Sequence, residues 1–231
     1  MHFPKIPPKH RPRGFSVLYE DRDLIIGNKV AGFLTVAAKW EKENTIEENL
    51  NYYVRKGSPQ SRKQVYVVHR LDQATSGVLV FAKSPEAQDF VKSNWKSTEK
   101  TYYCIVRGVL AEKHKIIESY LQEDEDYFVQ STNDPEQGKL ARTEYTVVKE
   151  TPHLSVLKIN LLTGKKNQIR VHMAEAGHPL VGDTKYGKNE KGPHLMLHSF
   201  SIELTHPFNG KRLRVQASVP DYFLRLVDYA Y

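Results

Sequence analysis

From Phe15 onward, apolar and polar positions alternate in short runs. Val17-Leu18-Tyr19, Leu24-Ile25-Ile26 and Phe33-Leu34-Thr35-Val36 are rich in β-branched and aromatic residues, which predicts short strands joined by turns. Helical spacing takes over at Thr45. Thr45 and Glu48 form a capping box, and Ile46, Leu50 and Tyr53 share one face, so 45–56 is predicted as a helix. A second helix is predicted over 85–95, with Pro85 in its first turn and Ala87, Phe90, Val91 and Trp95 turned inward. Strands are expected at Val65-Tyr66-Val67-Val68, at Val78-Leu79-Val80-Phe81, over 102–106 and along 153–162. Residues 116–148 have the pattern of an antiparallel ribbon, with Glu123-Asp124-Glu125-Asp126 as a solvated turn near its tip. A helix from about Lys166 to Ala176 stops at Gly177, strands follow near 195–204 and 212–218, and an amphipathic helix starts at Asp221.

Strands and helices in this order predict an α+β fold, a single domain with a mixed, largely antiparallel β-sheet flanked by helices and loops. No internal repeat and no composition break marks a linker. The expected organisation is a basic, Pro-rich tail over 1–14 and one domain over 15–231, with no separate N-terminal domain ahead of the first strand. Pro7, Pro8 and Pro12 break both helix and ladder in that tail.

Charge narrows the choice of partner. The chain has 34 Lys and Arg against 27 Asp and Glu, a net +7, which suits a polyanion without proving one. The single cysteine, Cys104, lies in the apolar run Tyr102-Tyr103-Cys104-Ile105-Val106, where a buried, inert thiol is expected. One cysteine makes no internal disulfide and no thiolate cluster, which fits a reducing, cytoplasmic compartment. The sequence has no apolar stretch of secretory-signal type at its start and none of membrane-spanning length, so no membrane partner is expected.

Chemistry is concentrated in two runs. The first, His69-Arg70-Leu71-Asp72-Gln73-Ala74-Thr75-Ser76-Gly77, compresses a cation, an acid and two hydroxyls between two apolar strands. A carboxylate at such a core edge must be hydrogen-bonded or paired, and Thr75, Ser76 and nearby backbone N–H groups are at hand. Taken alone, the same residue types better suit an aspartate that caps its own turn through backbone contacts. The second run leads from Leu161-Leu162 through Thr163-Gly164 into a helix whose first turn carries Lys165, Lys166 and Asn167, followed by Gln168 and Arg170. A helix N-terminus with lysines attracts phosphate, and Arg170 is placed to meet a carboxylate; a lysine-rich surface helix with an ordinary ion pair has the same pattern.

Both runs, in this order, resemble the RluA-like family of pseudouridine synthases. The family's His-Arg-Leu-Asp followed by Thr-Ser-Gly is matched by 69–77. Lys100-Thr101-Tyr102, Gln168-Ile169-Arg170-Val171-His172, Gly177-His178-Pro179-Leu180-Val181-Gly182-Asp183 with Tyr186-Gly187, Leu197-His198-Ser199 and His206-Pro207 extend the likeness over roughly residues 15 to 222. The resemblance implies an RNA-modifying isomerase that converts uridine in tRNA or rRNA to pseudouridine, with 15–231 as catalytic domain and RNA as partner. It implies Asp72 as catalytic aspartate, Arg170 as the arginine paired with it, and Tyr102 as the aromatic that stacks on the base. It further implies Arg70 as the side chain that holds the extruded nucleotide's place, Leu197 as part of the platform beneath the ring, and Thr75, Lys165, Lys166, Asn167 and Gln168 on the RNA side. Two departures concern RNA contacts. Lys29-Val30-Ala31-Gly32 stands where relatives commonly read Lys-Pro-x-Gly, and Lys165 and Asn167 replace an Arg and a His.

Isomerising uridine changes no oxidation state, so neither a cofactor nor a metal is expected, and a monomer is the default assembly. The rival readings are a non-catalytic RNA-binding module, which the charge suits equally, and a glycosidic-bond hydrolase, which normally needs two carboxylates where one is in evidence. A zinc enzyme is a third rival. His194 and His198 are four apart, but on a predicted strand and without a third ligand at metal-like spacing.

Overall fold

The computed structural model describes residues 11–38, 43–56, 58, 60–188 and 190–227; most of the basic tail, residues 1–10, lies outside them. The fold is α+β, with four helices and eleven strands among the described residues and a largely antiparallel sheet. The chain divides into two compact units, one of residues up to Thr98 together with Ser199–Ser218, the other of Glu99–His198 with the chain from Val219.

In the first unit, β1 (Phe15–Glu20) pairs antiparallel with β2 (Leu24–Lys29), and β2 with β4 (Ser76–Ala82). The two-residue β3 (Tyr66–Val67) pairs with Phe81 and Ala82 on the other edge of β4, and β10 (Leu197–Thr205) pairs with β11 (Arg212–Gln216). All seven residues of β4 are buried, which is why Val78-Leu79-Val80-Phe81 is continuously apolar rather than alternating. Leu24, Ile26, Val78, Val80, Val91 and Ile202 make the core on one face, and Phe15 packs edge-on to Phe81 at 6.2 Å. Helix α1 (Ile46–Val54) starts where the Thr45 side chain accepts the Glu48 N–H, and α2 (Pro85–Ser93) starts at a Ser84 cap with Pro85 in the first turn.

The stretch 33–36, expected as a strand, is not one. The carbonyls of Leu34 and Thr35 accept the first free N–H groups of α1, from Ile46 and Glu47, so they are unavailable to a ladder. Helix end and loop are thereby fastened together, a requirement that strand propensity does not register.

In the second unit the strand order is β5-β9-β8-β6-β7, formed by β5 (Glu99–Arg107), β9 (Leu154–Leu161), β8 (Lys139–Glu150), β6 (His114–Glu123) and β7 (Val129–Thr132). The expected ribbon is therefore β6, β7 and β8. At its tip Asp124 accepts the N–H groups of Asp126 and Phe128, closing a turn as the acidic run suggests. Helix α3 (Gln168–Glu175) starts two residues later than expected, because Asn167 takes a left-handed φ of 53° as its cap. Helix α4 (Asp221–Val227) packs Phe223 and Val227 against Ile105, Val156 and Met196. Cys104 is fully buried, and burial pushes its thiol well above the ordinary range, so it is inert.

Candidate active site

Asp72 opens the turn before β4 and is half-buried. The N–H of Thr75 closes the turn on the Asp72 carbonyl at 3.0 Å. Residues on either side are clamped. The Thr35 hydroxyl donates to the Leu71 carbonyl at 2.9 Å and accepts the Leu71 N–H at 3.2 Å. Gln73 is held reciprocally, its carbonyl accepting the Gly32 N–H at 2.8 Å and its side-chain amide donating to the Gly32 carbonyl at 3.0 Å. His69 secures the approach to the turn. Its Nε2 accepts the Val80 N–H at 3.1 Å, and its ring lies against Trp95 at 4.7 Å. Arg70 is exposed, whereas Thr75, expected beside the substrate, is 2% exposed. This half of the motif thus holds an accessible carboxylate in a backbone fixed on both flanks.

Under the same loop lies Lys29, the lysine of the Lys29-Val30-Ala31-Gly32 run, to which the motifs assign no role in the site. It is fully buried, and its Nζ donates to the carbonyls of Phe33, Gln73 and Val30 at 2.8, 3.0 and 3.2 Å. Burial lowers its pKa from 10.5 to about 7 against the opposing pull of Asp72's charge.

In the other unit, Tyr102 sits on β5, buried with 7% of its surface exposed, and opposite Ile159 of β9. Leu197, at the start of β10, is also buried. Arg170 projects from α3 and forks onto Asp183, with Nε to Oδ2 and an Nη to Oδ1 both at 2.8 Å. Its other Nη donates to Asn167 at 3.1 Å, and the guanidinium lies 5.1 Å from the Tyr186 ring centre. Asp183 also accepts the N–H groups of Lys185 and Tyr186, so one carboxylate both closes the 183–186 turn and fixes the arginine. This ion pair was not expected from the sequence, although Asp183 ends one of the motif runs.

Lys165 and Lys166 precede α3 as expected, Lys166 exposed and paired with Glu123. Gln168 has a different setting from the one expected. It is 2% exposed; its Oε1 accepts the Thr163 hydroxyl and the Lys165 N–H, and its Nε2 donates to the Arg142 carbonyl and the Thr143 hydroxyl. Four hydrogen bonds saturate an amide, so Gln168 shapes the 163–167 loop from within. Asn167 is buried as well, donating to the Tyr186 hydroxyl at 3.0 Å.

Of the histidines weighed as zinc ligands, His194 stacks on Tyr222 at 4.3 Å and His198 meets Phe223 edge-on. Among the described residues, Asp21, Asp23 and His206 form a trio with ligand atoms within 4.8 Å. Asp21 is already engaged there, by the Tyr19 hydroxyl, by His206 Nε2 and by the N–H groups of Asp23 and Leu24, which makes the trio a brace for the β1–β2 turn.

The family model described as RNA pseudouridylate synthase matches residues 23–175, which takes in the Asp72 turn and Arg170. The chain belongs to the RNA pseudouridylate synthase family. Among curated members of this family, it is 35% identical over 217 residues to the ribosomal large subunit pseudouridine synthase C of Haemophilus influenzae, a match covering 88% of this chain and 65% of that protein. It is 32% identical over 234 residues to the tRNA pseudouridine synthase C of Pasteurella multocida, covering 92% of this chain and 94% of that one. The chain thus spans just under two thirds of the first relative and nearly all of the second. Among solved structures, the human RNA pseudouridylate synthase domain containing 4 shares the fold with a TM-score of 0.77 at 21% identity, covering 92% of each chain. The likeness to the RluA-like pseudouridine synthases drawn from the motifs is thereby upheld, as is the α+β fold. No helix among the described residues is long and apolar enough to cross a membrane.

Proposed function

We propose that this pseudouridine synthase isomerises uridine within tRNA or rRNA, with the Asp72 carboxylate as its central chemical group. The supporting observation is the clamping of Leu71 and Gln73 by Thr35 and Gly32, which leaves Asp72 reachable while its backbone is held still. An aspartate needed only to cap a turn requires no such bracing from a loop more than thirty residues away.

The reaction breaks the bond between ribose C1′ and N1 of uracil, turns the ring, and joins C1′ to C5. A proton leaves C5 and one is gained at N1, so the product is an isomer and no electrons are exchanged with a partner. Asp72 supplies the negative charge that either attacks covalently or steadies the cationic centre left when the glycosidic bond breaks. Whether the attack falls on the sugar or the ring, it needs an ionised, fixed oxygen. The family resemblance adds Tyr102 as the aromatic against the base and as acceptor of the C5 proton, and Arg170 as the cation paired with Asp72. Arg70 takes the place of the extruded nucleotide, Leu197 supports the ring, and Lys165 and Lys166 meet phosphate while Asn167 and Gln168 hold their loop. Extruding the target costs a few kcal/mol, which stacking and phosphate contacts offset. The net +7 charge favours such a partner. Residues 15–231 act as the catalytic domain, as a monomer in the reducing cytoplasm that a buried, unpaired Cys104 suits.

The test is pseudouridine formation in uridine-containing tRNA and rRNA transcripts. Asp72→Asn should abolish product while leaving RNA affinity within about threefold, since affinity rests mainly on Lys and Arg contacts to phosphate and not on this carboxylate. Turnover by that variant would refute the assignment of Asp72, and release of free uracil would point instead to hydrolysis.

A further inference from the structure

The reaction scheme gives no part to the basic segment ahead of β1. Residues 1–19 hold Lys5, Lys9, Arg11 and Arg13 and no acid, four positive charges in a chain whose net charge is +7. The end of this segment is fastened to the fold. Residues 12–15 make a turn closed by the Phe15 N–H on the Pro12 carbonyl at 3.4 Å, with Gly14 at a φ of +69°, the left-handed value that the third position of a type II turn demands. Pro12 is buried, while Arg11 and Arg13 on either side of it are exposed. The Gly14 carbonyl accepts the Val30 N–H at 2.9 Å, and Gly14 lies so close to Phe33 that an added Cβ would sit 2.6 Å from its ring. Val30 stands where relatives commonly carry proline, which has no N–H to donate.

Both anchors belong to the loop that flanks Asp72. Gly32, between Val30 and Phe33, exchanges hydrogen bonds with Gln73, the residue after Asp72. Two residues of extended chain span at most about 7 Å, so the Gly14 carbonyl is no more than roughly 13 Å from that of Gln73. Arg13 gives one N–H to the Asn44 side chain at 3.2 Å, which steadies a guanidinium that stays exposed. Resting on the reading of Asp72 as the reacting group, we infer that the segment before β1 is an RNA-binding arm, docked on the 30–33 loop so that Arg11 and Arg13 meet phosphates of the strand beside the target uridine. A planar guanidinium with five donors matches a phosphate, and anchoring at Gly14 sets two of them at a fixed reach from the carboxylate. Cations ordered in advance bind without the entropic cost of ordering them.

The experiment measures RNA affinity on the Asp72→Asn protein, so that no turnover intervenes, with and without the pair Arg11→Ala and Arg13→Ala, on one uridine-containing transcript. Both side chains are exposed, so the fold should survive the change, which urea unfolding verifies. Counterion release at about 0.7 per phosphate predicts a plot of log affinity against log salt that is shallower by about 1.4, and an affinity at about 0.1 M salt lower on the order of tenfold. An unchanged slope would overturn the inference. In the active protein the same pair of changes should raise KM and leave kcat within about threefold; a loss confined to kcat would overturn it as well. Docking beside the site is read separately, by photo-crosslinking from a thiouridine placed next to the target. Adducts are expected on residues 11–14, and adducts confined to the rest of the chain would overturn the arm. Product formed by Asp72→Asn would remove the reading of Asp72 alone, since neither the salt slope nor the crosslink depends on that carboxylate.

Discussion

Gly77→Ala tests how tightly the start of β4 is packed. Gly77 has a φ of +113°, which an L side chain rarely adopts. A Cβ added there would sit 2.1 Å from the Ser199 carbonyl oxygen, 2.6 Å from its nitrogen and 2.7 Å from its carbonyl carbon. All three are backbone atoms, so no flexible side chain can swing aside. An ordinary carbon–oxygen contact is about 3.3 Å, which asks β4 or β10 to move by about 1 Å. Backbone strain of about 1–3 kcal/mol and overpacking of a similar size sum to a loss of roughly 2–6 kcal/mol, a large share of a typical 5–15 kcal/mol stability. Gly32→Ala is the matched control. Its φ is +98°, but nothing lies within 4 Å of the added Cβ, so it carries the strain without the collision. Urea unfolding of both variants and the parent isolates the steric part as the difference between them. If Gly77→Ala loses no more stability than Gly32→Ala, the close approach of β4 to the Ser199 backbone is not a determinant of the fold.

The ion pair on α3 and the buried histidine on the same helix give two further expectations. Asp183→Ala removes the forked carboxylate from an Arg170 side chain that is only 11% exposed, and unfolding should show a loss of about 3–5 kcal/mol; a loss under about 1 kcal/mol would mean that the arginine is not held by this carboxylate. Burial lowers the pKa of His172, bonded between Ser119 and Thr143, from 6.5 to about 4, so the unfolded chain takes up a proton that the folded one refuses. Stability should therefore fall as pH drops from about 6.5 to about 4, by roughly 3 kcal/mol from this group, and His172→Gln should flatten that slope in urea titrations; an unchanged slope would contradict the assignment.

Local rules made most elements legible. Thr45 and Pro85 mark the starts of α1 and α2 because caps and proline act within one turn, and the apolar run of β4 announces a strand buried on both faces. The Asp72 turn stands out in the sequence as a candidate because a carboxylate between two apolar strands must be hydrogen-bonded or paired. The start of α3 moved because Asn167 adopts a backbone conformation that composition does not reveal, and 33–36 lost its strand to the needs of α1.

By itself the sequence determined the family, the order of strands and helices, and the identity of the candidate aspartate, since each rests on residue types at short spacing. Tertiary structure alone decided what holds those groups. Lys29 meets Gln73 across 44 positions, Thr35 meets Leu71 across 36, and Arg170 meets Asp183 across 13. A lysine at a strand end reads as solvated when the chain is scanned locally. Only folding removes the water and brings three carbonyls to its amine, and so turns a surface-type residue into a buried, hydrogen-bonded one.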